Sequence, residues 1–395
     1  MARSISYVLM LLFIHVIGSA PAANAQGAAR SLDFDLSIRA AGMGGAGAGV
    51  AWGHASLWGN PAALALRRGI QWEHTRTQLV PDLADDIFLD SDQLVLGLPG
   101  IAVSRLGPPA GGVDLTYGFS EGTDQNGNPT GLEESHEAVE GVGVAFSLLG
   151  LVDGVRQFGG SDSHLDAFGD LSLGFQRRRA TLSFAGIPET HTDPDVADWG
   201  ILVRLTPLHP GLPDHNRHLF LDLGFGMSVL GANDAEVDFG FLEPAPVTRI
   251  RRTGGAFRFG FQGEPFDHPR NPVGRLVTEG MLPLLAVSMA SDESRISAGD
   301  LDNSSYHVSS YGLELGVANV AFVRFGHVRD RTGGIVDDTF GWGLQLPLGD
   351  VAGVRFDHAS FPEAAGLRDV QRSGWSLWFD PIALMRRQRP QGITS

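Results

Sequence analysis

Ala40 to Leu64 reads AAGMGGAGAGVAWGHASLWGNPAAL, and the expected fold depends on where such a stretch can be housed. It is nearly free of charge, crowded with Gly and Ala, and closes on Asn60-Pro61-Ala62. Glycine gives up much backbone freedom on folding and brings no side chain to bury, so this run cannot pack a core by itself. It suits a chain threaded through a confined space whose walls come from other residues. Met43, Val50, Trp52, Leu57 and Trp58 argue against a solvated glycine linker, which has no use for large apolar side chains. Asn60 stands where it caps a helical turn opened by Pro61 and continued through Leu66.

The walls follow in the chain. From Ile70 to Phe379, short segments alternate apolar residues with polar or tiny ones. Val113, Leu115, Tyr117 and Phe119 alternate with Asp114, Thr116, Gly118 and Ser120. The same two-residue period runs through Val142–Leu148, Leu219–Val229, Phe257–Gln262, Tyr311–Val317, Phe340–Leu346 and Arg372–Phe379. A soluble sandwich puts charge on its outer face, whereas here the polar face is mostly Gly, Ser and Ala with isolated Arg, Asp or Glu. Small and polar opposite large and apolar is the pattern of a lumen set against lipid. We therefore expect an all-β fold, a transmembrane antiparallel β-barrel of about 14 strands with an N-terminal hatch in its lumen.

Arg3, the apolar run Tyr7 to Ile17 and the site Ala23-Asn24-Ala25 predict a secretory signal over residues 1–25. The hatch is expected over 26–66, the barrel over 67–380 and a tail over 381–395. No apolar run is long enough for a membrane helix, so a membrane fate implies a closed barrel. The chain holds no Cys, which excludes disulfides, thiolate metal sites and a lipidated N-terminal Cys. Its net charge of −16 argues against nucleic acid as a partner.

The segment Arg39-Ala40-Ala41-Gly42-Met43-Gly44-Gly45-Ala46, followed by Trp58-Gly59-Asn60-Pro61-Ala62-Ala63-Leu64, resembles the start of mature PorV/PorQ-type outer-membrane proteins, relatives of the FadL-like hydrophobic-compound transporters. The likeness is sharp over Ile38 to Leu64 and looser over Tyr311 to Phe379. It implies a bacterial outer-membrane location and a non-enzymatic role. Arg39, Gly42, Met43, Gly44, Gly45, Asn60, Pro61 and Ala62 would form the gating hatch, and Met43, Trp52 and Trp58 would touch a hydrophobic ligand. It also implies an alternative, capture of secreted cargo by a type IX secretion component. Relatives carry acidic residues where this chain has Gly53-His54, which departs from the pattern.

Other clusters carry less. His209, His215 and His218 follow no metal-ligand spacing, and Asp124-x-Asn126-x-Asn128 lacks the Gly and bidentate Glu of a calcium loop. Asp357 and His358 point to opposite faces of a strand, while His358 and Ser360 share one without an orienting acid. No catalytic residue, metal or cofactor is therefore expected. Arg177-Arg178-Arg179 and Arg251-Arg252 read as strand ends or turns, or as contacts to lipopolysaccharide phosphates. Short turns at Ala318-Asn319, Gly349-Asp350 and near Arg179 are expected at one end. Longer connections (121–140, 188–198, 208–217, 233–249, 263–279, 291–305 and 330–338) are expected at the other.

Overall fold

The computed structural model describes residues 29–53, 57–81, 87–107, 111–123, 129–158, 168–183, 194–208, 218–238, 244–263, 282–298, 306–330, 334–348, 351–362 and 368–388. The strands are β1 (Gly69–Gln78), β2 (Phe88–Leu98), β3 (Ile101–Leu106), β4 (Val113–Thr123), β5 (Pro129–Ser147), β6 (Gly169–Ser183), β7 (Asp195–Leu208) and β8 (Leu219–Leu230). After a two-residue hairpin, β9 (Glu236–Val237) and β10 (Ala245–Pro246), come β11 (Thr248–Gly263), β12 (Leu282–Ala298) and β13 (Tyr306–Val317). The last four are β14 (Ala321–Asp330), β15 (Ile335–Leu348), β16 (Ala352–Phe361) and β17 (Val370–Phe379). Each barrel strand pairs antiparallel with its neighbour, and β17 returns to β1 with Phe379 opposite Ile70, so the sheet closes. β3 and β4 occupy successive halves of one place between β2 and β5, which makes a fourteen-strand barrel. Gly107 and Gly111 flank that break with φ of +100° and +102°, values that favour glycine. No helix among the described residues is long and apolar enough to cross a membrane.

Strand direction puts the start of β1, the end of β17 and the turn at Ala318-Asn319 at one end, here the lower end. The expected sorting of turns is corrected by this topology. The connections 209–218 and 264–281 join strands at the same end as Ala318-Asn319, so long and short connections do not divide cleanly between the two ends. Residues 121–123, 129–140 and 291–298 are strand and not connection. Arg177 to Arg179 lie within β6, not at a turn, with Arg179 opposite Asp195 of β7.

The two faces of the sheet exchange character partway up the barrel. In the lower part the outward residues are apolar, as in Val317, Leu315, Leu313 and Tyr311 of β13, while Gly316, Glu314 and Gly312 face inward. Higher on the same strand His307 faces outward and Val308 inward. The exchange recurs with Arg251 and Ile250 on β11, with Arg295 and Ile296 on β12, and with Arg329 and Val328 on β14. Trp72, Phe175, Trp199, Tyr311, Phe325, Phe340 and Trp375 stand outward near the boundary, as an aromatic girdle does. On β15 the apolar outward run from Leu348 to Phe340 covers about 26 Å along the strand, on the order of the ~25 Å apolar band of membrane barrels before tilt. Trp378 faces inward.

Candidate functional site

Residues 29–53 and 57–68 run against the inward faces of the barrel strands, and the space for them is made by glycines of the wall. A Cβ at Gly226 would land on Ala48 O, at Gly200 on Asn60 Oδ1, at Gly174 on Pro61, at Gly312 on Met43 Cβ, and at Gly326 on Gly44 N. The glycine-rich polar face of the strands thus lets the inner segment approach closely, because a wall position without a Cβ leaves room for its backbone and small side chains. Within the segment Ser37 caps the short helix Ile38–Ala41, Gly44 takes φ +69°, and Asn60 Oδ1 accepts from Ala62 N at 3.0 Å to cap the 3₁₀ turn Pro61–Leu66. Those caps are the local reason the chain turns where it does.

Polar side chains from around the barrel then pin the segment. Arg39 Nε and Nη2 donate to the two oxygens of Glu314 at 3.0 and 2.7 Å, and its Nη1 donates to Trp52 O at 2.8 Å. Glu314 also accepts from Arg324 Nε at 2.8 Å. Arg324 reaches Asp357 at 2.8 Å, and Asp357 takes Arg355 Nε at 2.5 Å. Asp292 Oδ2 accepts from the backbone N–H groups of Gly47 and Ala48, both at 2.7 Å. Asn60 Nδ2 donates to Ile201 O at 3.0 Å, and Ser228 Oγ to Gly59 O at 2.6 Å. Buried charges are tolerable here because Arg39, Glu314, Arg324, Asp357 and Arg355 are met by opposite charges and Asp292 by two backbone N–H groups.

Above the segment, toward the upper end, lies a cavity of about 400 Å³. Ile250, Ile296, Val308, Val328, Ile335 and Phe361 form its walls, while Ala41, Gly44, Gly45 and the stretch Asp33–Asp35 lie on its floor. The floor charges are paired, Arg30 with Asp33 at 3.1 Å and Arg252 with Asp35 at 2.5 Å, and Arg372 donates to Asp35 O. Burial pushes the Asp33 carboxyl up to about 6, against the pull of Arg30 and of the Thr248 hydroxyl. On the other side of the lumen the same inward apolar level is filled. There Leu89, Leu106, Val113, Leu115 and Val139 pack on Leu32, Leu36 and Trp58.

Below the segment a second cavity of about 540 Å³ is lined by Arg39, Trp52, Arg258, Phe322, Arg355 and Trp378, with Asp380 and Ala383 at its edge. Arg355 lies over the Phe322 ring at 4.5 Å. Arg39 lines the lower cavity and Ala41, Gly44 and Gly45 line the upper one, so the stretch 39–45 lies between them together with the buried side chain of Arg324, which packs on Gly42.

The residues singled out by sequence are therefore dispersed. Arg39, Gly42, Met43, Gly44 and Gly45 lie together at the partition, and Asn60, Pro61 and Ala62 lie against β6 and β7. Met43 is buried against Gly312 and lines neither large cavity, Trp52 borders the lower one, and Trp58 belongs to the apolar cluster across the lumen. Glu314, Arg324 and Asp292 were not singled out, although each is a lone charge at an inward position of an alternating strand, which was a usable signal; Asp357 was weighed only beside His358, and its partners are Arg324 and Arg355. His358 Nδ1 meets Ser373 Oγ at 2.8 Å and Ser360 Oγ donates to Asp369 at 3.0 Å, so the two share a face without pairing. His209, His215, Asp124, Asn126, Asn128 and His54 lie outside the described residues.

No protein-family model matches the chain. No curated protein matches it either. Among solved structures it is similar to the toluene transporter TodX of Pseudomonas putida, at 13% identity and a TM-score of 0.39, covering 86% of this chain and 96% of that one. It is similar to a FadL homologue of Pseudomonas aeruginosa at 9% identity and a TM-score of 0.38, covering 87% and 98%. With the toluene transporter TbuX of Ralstonia pickettii the identity is 12% and the TM-score 0.36, covering 87% and 97%.

Proposed function

We propose that this chain is an outer-membrane barrel of the PorV/PorQ, FadL-like type that takes up hydrophobic small molecules, with its inner segment as a closed gate. A closed sheet satisfies its backbone in lipid, and the lower exterior is apolar beneath an aromatic girdle. The observation that carries the transport reading is the upper cavity. Its aliphatic wall suits an apolar molecule, and its floor is the segment that bars the way down. Passage requires residues 39–45 to shift, and the Arg39–Glu314 pair is the latch holding them.

Saturable binding of a fluorescent apolar probe to detergent-solubilised protein tests the reading. Val308→Trp, which fills the cavity without touching the inner segment's pins, is expected to abolish it. Unchanged binding in that variant would overturn the proposal, as would a secreted cargo domain co-purifying with a barrel that binds no probe.

A further inference from the structure

We infer that the helix Leu148–Phe158, at the lower rim of the barrel, is embedded in the membrane, with acyl chains of the leaflet at that end covering its exposed face. The inference rests on the outer-membrane placement proposed above and not on transport. The apolar belt is uneven around the barrel. On β15 the outward apolar run covers about 26 Å, but on β5 and β6 the runs Val142–Phe146 and Leu171–Phe175 cover about 13 Å each. Glu140 and Arg177, both exposed, end those runs at the top. Below them the strands stop short of the ~25 Å that the apolar layer asks of a barrel. The helix begins at that point, directly after β5, and its 11 residues make it about 16 Å long.

The exposure of this helix is the reverse of that of a helix in water. Leu148, Val152 and Val155 share one face and are 45%, 41% and 73% exposed, whereas Gly150, Asp153 and Gly154 are turned to the protein. The buried side is held firmly. Ser147 Oγ accepts from Gly150 N and Asp170 Oδ1 from Leu149 N, both at 3.0 Å, and a Cβ at Gly154 would meet Pro99 O at 3.0 Å. The aliphatic face is therefore fixed outward, where water would gain nothing from it and acyl chains would. Leu148 takes the outward position that follows Val142, Val144 and Phe146, so this face continues the lipid-facing side of β5. That continuity selects lipid over a protein partner. Arg156 is exposed beside Val155, and its aliphatic stem lets the charge reach the headgroups.

Fluorescence quenching in vesicles tests this, because a chain without Cys accepts one labelled cysteine at a time. The full chain is labelled at Val155→Cys or, as a control on the outward belt at the same end, at Val317→Cys. Each is reconstituted into phosphatidylcholine vesicles with and without brominated acyl chains. Bromolipid is expected to quench both labels, and iodide in the water to quench neither. Quenching at Val155→Cys by iodide and not by bromolipid, with Val317→Cys still quenched by bromolipid, would overturn the inference and leave the placement standing. A Val155→Cys label shielded from both quenchers would overturn it in favour of a second copy of the chain or another protein on this face. Loss of bromolipid quenching at both sites would overturn the placement and the inference with it. Both positions are exposed, so heat-modifiable migration on gels reports that the labelled variants fold.

Discussion

Arg39 of the inner segment and Glu314 of β13 face each other with two parallel hydrogen bonds, at 3.0 and 2.7 Å, although 275 residues separate them. Both side chains are withdrawn from water; Glu314 keeps Arg324 as a second partner at 2.8 Å, whereas the other hydrogen bond of Arg39 goes to the Trp52 carbonyl, so the loss of Glu314 is felt most by Arg39. Losing one side of such a pair strands the other. We expect Glu314→Gln or Arg39→Met each to destabilise the closed segment by about 3–5 kcal/mol. The double variant Arg39→Met/Glu314→Met should cost less than the sum of its parts. Thermal unfolding followed on gels measures the cost, and probe uptake into proteoliposomes should rise in the single variants if the latch restrains the gate.

Wall glycines set the second prediction. Gly226→Val places a side chain where Ala48 O now lies, while the strand itself tolerates Val well. The barrel should form but hold its inner segment displaced, at a cost of about 3 kcal/mol. Because the chain has no Cys, a single cysteine at Ala48 can be labelled specifically. Its labelling should be slow in the parent background and fast beside Gly226→Val.

A pH dependence follows from Asp33. Burial raises its folded-state value from 3.8 to about 6, so the folded form binds its proton more firmly than the unfolded chain does. The ionised carboxylate is therefore a burden at neutral pH, relieved as pH falls from about 6 toward 4. Hydrogen exchange at residues 29–33 should slow as pH is lowered through that window, after correction for intrinsic rates. Asp33→Asn should remove the effect.

The strands and the inner segment were legible because they obey local rules: period two in one, and glycine with Asn60-Pro61 capping in the other. What holds them together was less so. Glu314 and Asp292 looked like isolated charges because their partners, Arg39 and the Gly47 and Ala48 amides, lie some 240 or more residues away in sequence. The upper cavity was hidden for a different reason. Ile250, Ile296 and Val308 continue the alternation of their strands but on the opposite face, and period alone does not show that the sheet has left the apolar belt. Met43, Trp52 and Trp58 drew notice as large residues in a small-residue run, yet Met43 and Trp52 belong to one apolar cluster and Trp58 to another.

The most direct measurement is a crystal structure of the detergent-solubilised protein soaked with a brominated apolar compound, located by its anomalous signal. The account predicts bromine in the cavity between Ile296, Val308 and Phe361, above Gly44, and none there in Val308→Trp. An empty upper cavity at saturating compound, with bromine only on the outer belt, would contradict it.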